Sequence, residues 1–99
     1  MSYYFVANYN VTDQEMYEQY VQEVGPTLMQ YGAKVLVADH APNDIEGESP
    51  RTLIILEFES EKAAMAWYSS PEYQAVVNLR LDATEGWGRG APQFVMPSS

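Results

Sequence analysis

The 99-residue sequence contains no cysteine and a single histidine, His40. Without cysteine the chain can form neither a disulfide framework nor a thiolate nucleophile. A typical zinc site requires several histidine or cysteine ligands, which one histidine cannot supply. The glycine-rich segment "GWGRG" (86–90) has neither the preceding strand nor the following helix that a phosphate-binding loop needs. We therefore expect a protein that uses no metal and no cofactor.

Basic residues are also scarce, because five lysines and arginines stand against fourteen acidic residues and the formal net charge is -9. Such a charge repels phosphate groups, which argues against nucleic acids and anionic membrane surfaces as partners. No apolar run is long enough to span a bilayer. The N-terminus "MSYYFVANYNV" lacks the basic region and the cleavage site of a signal peptide. The sequence thus indicates a cytoplasmic protein.

The residues that are present predict an α+β fold in one domain, 1–99. Alternating aromatic and β-branched residues predict strands in "SYYFVANYNV" (2–11), "AKVLVADH" (33–40) and "RTLIILEF" (51–58). Between the first two strands, "TDQE" begins a helix with Thr12 as its N-cap.

Two more helical segments follow the third strand, with Ser60 and Ser70 as their N-caps, and they end near Arg80 to Ala83. The order strand, helix, strand, strand, helix, strand is that of a ferredoxin-like split βαβ fold, an antiparallel sheet with helices on one face. In the tail "EGWGRGAPQFVMPSS" (85–99) the three glycines and Pro92 weaken any strand, so "QFVM" is left as the candidate for an edge strand.

The strand 51–58 is apolar on both faces, since Leu53 and Ile55 alternate with Ile54 and Leu56. Helices cover only one face of a ferredoxin-like sheet, and soluble monomers avoid a large apolar patch in water. A second copy of the chain that packs on the other face would cover it, so we expect a homodimer. The alternative is that the tail folds across this face.

The stretch "AWYSSPEYQAVVNLR" (66–80) combines three aromatic residues with an arginine. Helical spacing turns Trp67 and Tyr68 towards the sheet, and it places Tyr73 and Arg80 two turns apart on one face. These four residues are candidate substrate-binding residues. The alternatives are that the aromatic residues only form the core and that Arg80 only complements the dipole of its helix.

Glu57 and His40 are the candidate catalytic residues, because either could move a proton. Glu57 follows the apolar run "LIIL" and is expected to be partly buried, which raises a carboxyl pKa unless a partner compensates. Arg51, like Arg80, could stabilise an anion. We expect one pocket between the helical segments 60–80 and the sheet, with His40 at its rim. Its expected lining consists of Trp67, Tyr68, Tyr73 and Glu57.

The stretch "EFESEKAAMAWYSSPEYQAVVNLR" (57–80) resembles the signature of a bacterial family of domains of unknown function, numbered 1330. The shared pattern is E-F-x-S, an alanine-containing helix, W-Y-x-S-P-E-Y and a later L-R. The earlier segments "VTDQEMYEQY", "GPTLMQYGAKVL" and "PRTLIILEF" are similar to the family as well. The tail departs from the family's usual short apolar strand with an acidic end.

The resemblance implies a dimeric α+β barrel of ferredoxin-like chains. That superfamily includes cofactor-free monooxygenases of aromatic polyketides, muconolactone-isomerase-like enzymes and haem-binding relatives, whereas the family itself has no established reaction. Two function classes follow. One is a cofactor-free enzyme, monooxygenase- or isomerase-like, that acts on a small aromatic or planar substrate. The other is a non-catalytic small-molecule-binding or stress-response module.

Overall fold

The computed structural model describes residues 1–97 and has one four-stranded antiparallel sheet with helices on one face. The strands lie in the order β2-β3-β1-β4, which is the predicted ferredoxin-like topology. In chain order the elements are β1 (Tyr3–Val11), α1 (Gln14–Gln30), β2 (Lys34–Asp39), β3 (Thr52–Phe58), α2 (Glu61–Tyr68), α3 (Pro71–Gln74), α4 (Val77–Ala83) and β4 (Thr84–Pro92).

Side-chain caps fix where three of the helices begin. The hydroxyls of Ser60 and Ser70 accept hydrogen bonds from the backbone N–H groups three residues later, as predicted. Helix α1 begins one residue later than predicted, because Asp13 rather than Thr12 is its N-cap and its carboxylate accepts from the N–H of Met16. No helix within residues 1–97 has the length and apolar character needed to cross a membrane.

The prediction for the tail is wrong, because the glycine-rich segment itself forms strand β4. This strand pairs along its whole length with β1, and Gly86, Gly88 and Gly90 all point towards the helices. Aromatic rings of β1 occupy the space that side chains would need: a Cβ at Gly88 would lie 2.9 Å from the ring of Phe5. Glycine is thus required here by a close approach, and the cost that it normally brings to a strand is offset.

The two faces of the sheet differ in how they are covered. The face towards the helices carries most of the core, including Tyr9, Leu56 and Phe58. On the other face, here called the open face, Ile55 of β3 lies opposite Val6 of β1, with Leu53 and Tyr4 two residues along their strands, and all four are only partly buried. The predicted two-sided apolar strand is therefore present.

The described part of the tail does not cover the open face. Beyond β4 the backbone N–H of Gln93 still bonds to the carbonyl of Ser2. Phe94, Val95 and Met96 are exposed, so "QFVM" buries little apolar surface against the rest of this chain. Ser98 and Ser99, the end of the tail, lie outside the described residues.

Candidate functional site

A pocket of about 380 Å³ lies between α2, α4 and strand β4. We call it the aromatic pocket. Its floor is the stripe of glycines in β4, which lets the rings of Phe5 and Tyr3 lie directly against Gly88 and Gly90. Its walls are the rings of β1 and α2, and α4 closes one end. The side chains that matter most to its chemistry are those of Tyr3, Phe5, Trp67, Tyr68 and Arg80.

The aromatic walls are held in place by the core. The ring of Phe5 contacts those of Trp67 and Tyr68, with centroid distances of 5.8 and 6.3 Å. Trp67 is buried, and its indole N–H donates to the hydroxyl of Thr27 on α1 over 3.0 Å. These contacts fix the orientation of the rings before any ligand arrives, which lowers the entropic cost of binding a flat molecule.

Arg80 brings a positive charge into the interior. Helix α4 turns it inwards together with Val77 and Ala83, and its side chain is only 7% exposed. Within residues 1–97 its buried Nε has no hydrogen-bond partner. The guanidinium carbon lies 5.9 Å from the centre of the Tyr9 ring. A buried charge normally has a paired anion, so this guanidinium is suited to a ligand that supplies one.

The pKa of Arg80 lies above its ordinary value, so the side chain remains charged. Burial lowers this pKa, but the charge interaction and hydrogen bonding with Tyr73 raise it more, with help from Tyr20 and Tyr9. The strongest opposing influences on its pKa thus come from tyrosines and not from carboxylates. The positive charge is consequently solvated by weakly polar groups and is not neutralised.

Four tyrosine hydroxyls surround this charge in two pairs. The hydroxyls of Tyr9 and Tyr17 are 2.7 Å apart, and those of Tyr20 and Tyr73 are 3.0 Å apart. Burial raises the pKa of Tyr9, Tyr17 and Tyr20 above the usual range for tyrosine. All three stay protonated near neutral pH and act as hydrogen-bond donors.

The predicted binding residues fall into two groups. Trp67, Tyr68 and Arg80 line the aromatic pocket together. Tyr73 is fully buried behind them, with its ring centre 4.0 Å from that of Trp67, so it supports the wall without lining the pocket. Arg51 is exposed at a separate opening beside β3. The structure therefore brings together three of the five predicted binding residues.

The two predicted catalytic residues lie away from the aromatic pocket. Glu57 is on the open face, where it accepts a hydrogen bond of 3.4 Å from the hydroxyl of Tyr4. Alternation along β3 turns Glu57 to the side of Ile55, so the expectation that it reaches the pocket is wrong. His40 is near Arg51 at the separate opening, with Nδ1 3.1 Å from the hydroxyl of Thr52. A catalytic role for Glu57 or His40 stays a prediction.

The sequence did not lead us to expect that Tyr3 and Phe5 of the first strand, or the glycines of β4, line the pocket. The signal that could have found them is the spacing of Gly86, Gly88 and Gly90, since a period of two places all three on one face of a strand. The rings of Tyr3 and Phe5 have the same period in the first strand. When one strand has glycines and another has aromatic residues at every second position, the two strands are predicted to pair so that the rings lie over the glycines.

The pocket can hold a small planar anion. Its described lining contains aromatic rings and Arg80, and no aspartate, glutamate or histidine; Arg89 also borders it, but its pairing with Val6 turns its side chain to the open face. A flat ligand can stack between the rings while its carboxylate, phenolate or enolate oxygen accepts from the guanidinium. Within residues 1–97 no group of three or more His, Asp or Glu side chains is placed to hold a metal ion.

Comparison with known proteins gives a family and a fold. The sequence profile of the family described as "Domain of unknown function (DUF1330)" matches residues 2–87. A crystal structure of a Rhodopseudomonas palustris protein of unknown function, RPA0582, has 17% identity and a TM-score of 0.74, over 98% of this chain and 84% of that one. No functionally curated protein matches the chain.

Two further solved structures are similar at lower identity. One is a dimeric ferredoxin-like protein of unknown function from Thermobifida fusca, with 10% identity and a TM-score of 0.60 over 94% of this chain and 92% of that one. The other is an antibiotic biosynthesis monooxygenase, with 12% identity and a TM-score of 0.62 over 98% of this chain and 100% of that one. At these identities the likeness shows the fold, which is a ferredoxin-like α+β fold.

Proposed function

The chain belongs to the DUF1330 family, and from the geometry of the aromatic pocket we propose that it is a cofactor-free enzyme for a small planar substrate. In this proposal the substrate binds as a phenolate or enolate, and Arg80 stabilises its negative charge. The observation that carries the proposal is the buried guanidinium, whose Nε has no partner within residues 1–97, at the end of an aromatic pocket.

The chemistry follows from how such an anion reacts. A phenolate or enolate held away from water can take up a proton at another carbon, which is an isomerisation. It can also give electrons to dioxygen, as when a naphthalenediol and one O₂ yield a hydroxynaphthoquinone and one water. A fixed guanidinium favours both reactions because it stabilises the charge before and during the reaction. The similar fold of an antibiotic biosynthesis monooxygenase supports the second.

Binding is tested with the ionised hydroxynaphthoquinone lawsone and its uncharged methyl ether, which have almost the same shape. We expect Arg80→Met to weaken lawsone binding about tenfold or more and to leave the methyl ether nearly unchanged. Arg51→Met is the matched control, because it removes the same charge outside this pocket. Equal weakening by both variants, or equal loss of both ligands, would contradict the proposed role of Arg80.

Turnover separates the enzyme from a non-catalytic binding module. With a naphthalenediol we expect dioxygen uptake and the absorbance of the quinone product to rise together in the native protein and to fall in Arg80→Met. Tight binding of lawsone without uptake of dioxygen, and without isomerisation of an enolisable ketone, would instead identify a binding module that uses the same pocket.

We also propose that the working form is a homodimer. The open face carries Tyr4, Val6, Leu53 and Ile55, which are only partly buried in one chain. The exposed Trp87 of β4 extends the same face next to Asn8. Two such faces packed together would bury a continuous apolar surface. The Thermobifida fusca protein of similar fold is described as dimeric, which supports this arrangement.

A further inference from the structure

A second cavity, of about 260 Å³, lies on the other side of the core between α1 and the strands β2 and β3. We call it the tyrosine cavity. Its lining is apolar apart from His40 and three tyrosines, Tyr9, Tyr17 and Tyr20. No residue lines both this cavity and the aromatic pocket, so it is a separate space among the described residues. An engineered apolar cavity of about 150 Å³ holds benzene, so this one has room for a substituted ring.

The hydroxyl pairs leave protons without acceptors. Each tyrosine has one O–H proton, and a pair of hydroxyls uses one of its two protons between them. The hydrogen bonds found within residues 1–97 give neither the Tyr9–Tyr17 pair nor the Tyr20–Tyr73 pair a further acceptor. One O–H group per pair therefore remains free in the interior, where an unsatisfied polar group is costly.

The position of Arg80 decides which proton of the second pair is free. Tyr73 is the tyrosine that acts most strongly on the guanidinium, and an oxygen beside a cation turns its lone pairs towards the charge. The contact between the two hydroxyls allows either direction, and this orientation of Tyr73 sends its proton to the oxygen of Tyr20. Tyr20 consequently keeps its own O–H for another acceptor. Tyr20 lines the tyrosine cavity and is 8% exposed, whereas Tyr73 does not line it.

The first pair gives a second donor at the same place. Both Tyr9 and Tyr17 line the cavity. Whichever of the two donates to the other, the free O–H of this pair therefore belongs to a residue that lines the cavity. Donation from Tyr9 to Tyr17 is one of the two directions that this pair allows, and it leaves the O–H of Tyr17 free. Tyr17 is 3% exposed, and its ring centre is 6.0 Å from that of Tyr20.

We propose that the tyrosine cavity binds a small apolar molecule with one carbonyl oxygen, such as an aromatic ketone, and that Tyr17 and Tyr20 donate hydrogen bonds to that oxygen. A carbonyl oxygen has two lone pairs and no proton, which matches two free donors in an otherwise apolar space. Each donor is polarised by the hydroxyl behind it, and one chain of hydroxyls ends at the charge of Arg80. The ligand reaches the cavity past His40, which is exposed and also lines the neighbouring opening.

Acetophenone and ethylbenzene are the test ligands, because they have similar shapes and only the first has a carbonyl oxygen. We expect acetophenone to perturb the methyl signals of Val24, Leu28 and Ile54 in the native protein, and its C=O stretching band to move to lower frequency. Perturbation of Met65 and Leu81 alone, which line the aromatic pocket, would overturn the proposal. So would a binding signal with no band shift, or no binding at all.

Variants then assign the shift to the two hydroxyls. Tyr17→Phe and Tyr20→Phe should each weaken acetophenone binding about threefold to tenfold and reduce the band shift, with ethylbenzene affinity changed by less than about twofold. Tyr68→Phe is the control, since it removes a hydroxyl from the aromatic pocket. An unchanged band in both test variants, checked for native folding, would refute the proposal.

Discussion

Replacing Arg80 with methionine is expected to leave the protein as stable as before or more stable, although it removes anion binding from the aromatic pocket. Arg80 is a charged side chain that is almost fully buried, and tyrosines rather than a carboxylate raise its pKa. Taking a guanidinium out of water without such a partner opposes folding. Methionine keeps an unbranched chain in the same space and carries no charge.

The magnitude follows from the contacts of the guanidinium. The effective cost of desolvating one ion in a protein is several kcal/mol. The interaction with Tyr73, the strongest of those that raise the pKa of Arg80, offsets about 1.5–3 kcal/mol of it, and the contact with the Tyr9 ring at 5.9 Å offsets about 0.5–2 kcal/mol. The two sides nearly cancel. We expect Arg80→Met to raise the free energy of unfolding by about 0–2 kcal/mol. Each kcal/mol of this gain should raise Tm by roughly 4–8 °C.

Urea denaturation of Arg80→Met, with Arg51→Met as the exposed control, measures this change at a constant m-value. Lawsone at a hundred times its Kd should stabilise the native protein by about 2.7 kcal/mol and Arg80→Met far less. A loss of more than about 2 kcal/mol in Arg80→Met would refute the reasoning, because it would show that the tyrosines fully compensate the charge and that Arg80 is a structural cation.

Three other perturbations test other parts of the molecule. Above about pH 10 the unfolded chain ionises its tyrosines, whereas burial keeps Tyr9, Tyr17 and Tyr20 protonated in the folded protein. As far as these tyrosines are concerned, the unfolding free energy should therefore stay constant below that pH. Above it, the free energy should fall by about 1.4 kcal/mol per pH unit for each of the three tyrosines. In Tyr20→Phe the loss of unfolding free energy per pH unit, measured by denaturation between pH 9 and 11, should be smaller by the contribution of one tyrosine. The same loss per pH unit in the variant and the native protein would contradict the assignment. Gly86→Ala should lose about 2–3 kcal/mol, because its Cβ would lie 2.5 Å from the Cα of Tyr9. Gly88→Ala should cost less, since its Cβ meets the tip of the Phe5 ring, and the reverse order in urea denaturation would show that the strand pairing is misjudged. Light scattering at micromolar concentration should give twice the chain mass for the native protein and the monomer mass for Ile55→Lys, and a native monomer would exclude the dimer.

Much of the fold could be predicted because its signals are local. A period of two in the strand 52–58 assigns Leu53 and Ile55 to one face and Leu56 to the other. The serines at 60 and 70 cap their helices through hydrogen bonds to residues three positions away. Helical spacing also places Trp67 correctly in the core. Each of these inferences needs only residues that are close in the sequence.

The parts that could not be predicted depend on residues far apart in the sequence. Glycine weakens a strand by local propensity, and only the neighbouring Tyr3 and Phe5 turn Gly88 and Gly90 into a close fit. The hydroxyls of Tyr20 and Tyr73 meet across 53 positions, which no periodic pattern of either helix indicates. Glu57 is a different case, since alternation along its own strand already assigned it to the open face, away from the pocket.

The glycine floor also gives evolution a simple way to change what the pocket accepts. A methyl group added at Gly88 or Gly90 pushes against the ring of Phe5 or Tyr3, and both rings line the aromatic pocket. One nucleotide change can convert a glycine codon to an alanine codon, so the wall formed by these two rings can shift in single-methyl steps while the cation stays in place. Members of the family that differ at these two positions would then accept ligands of different size and keep the same preference for an anion.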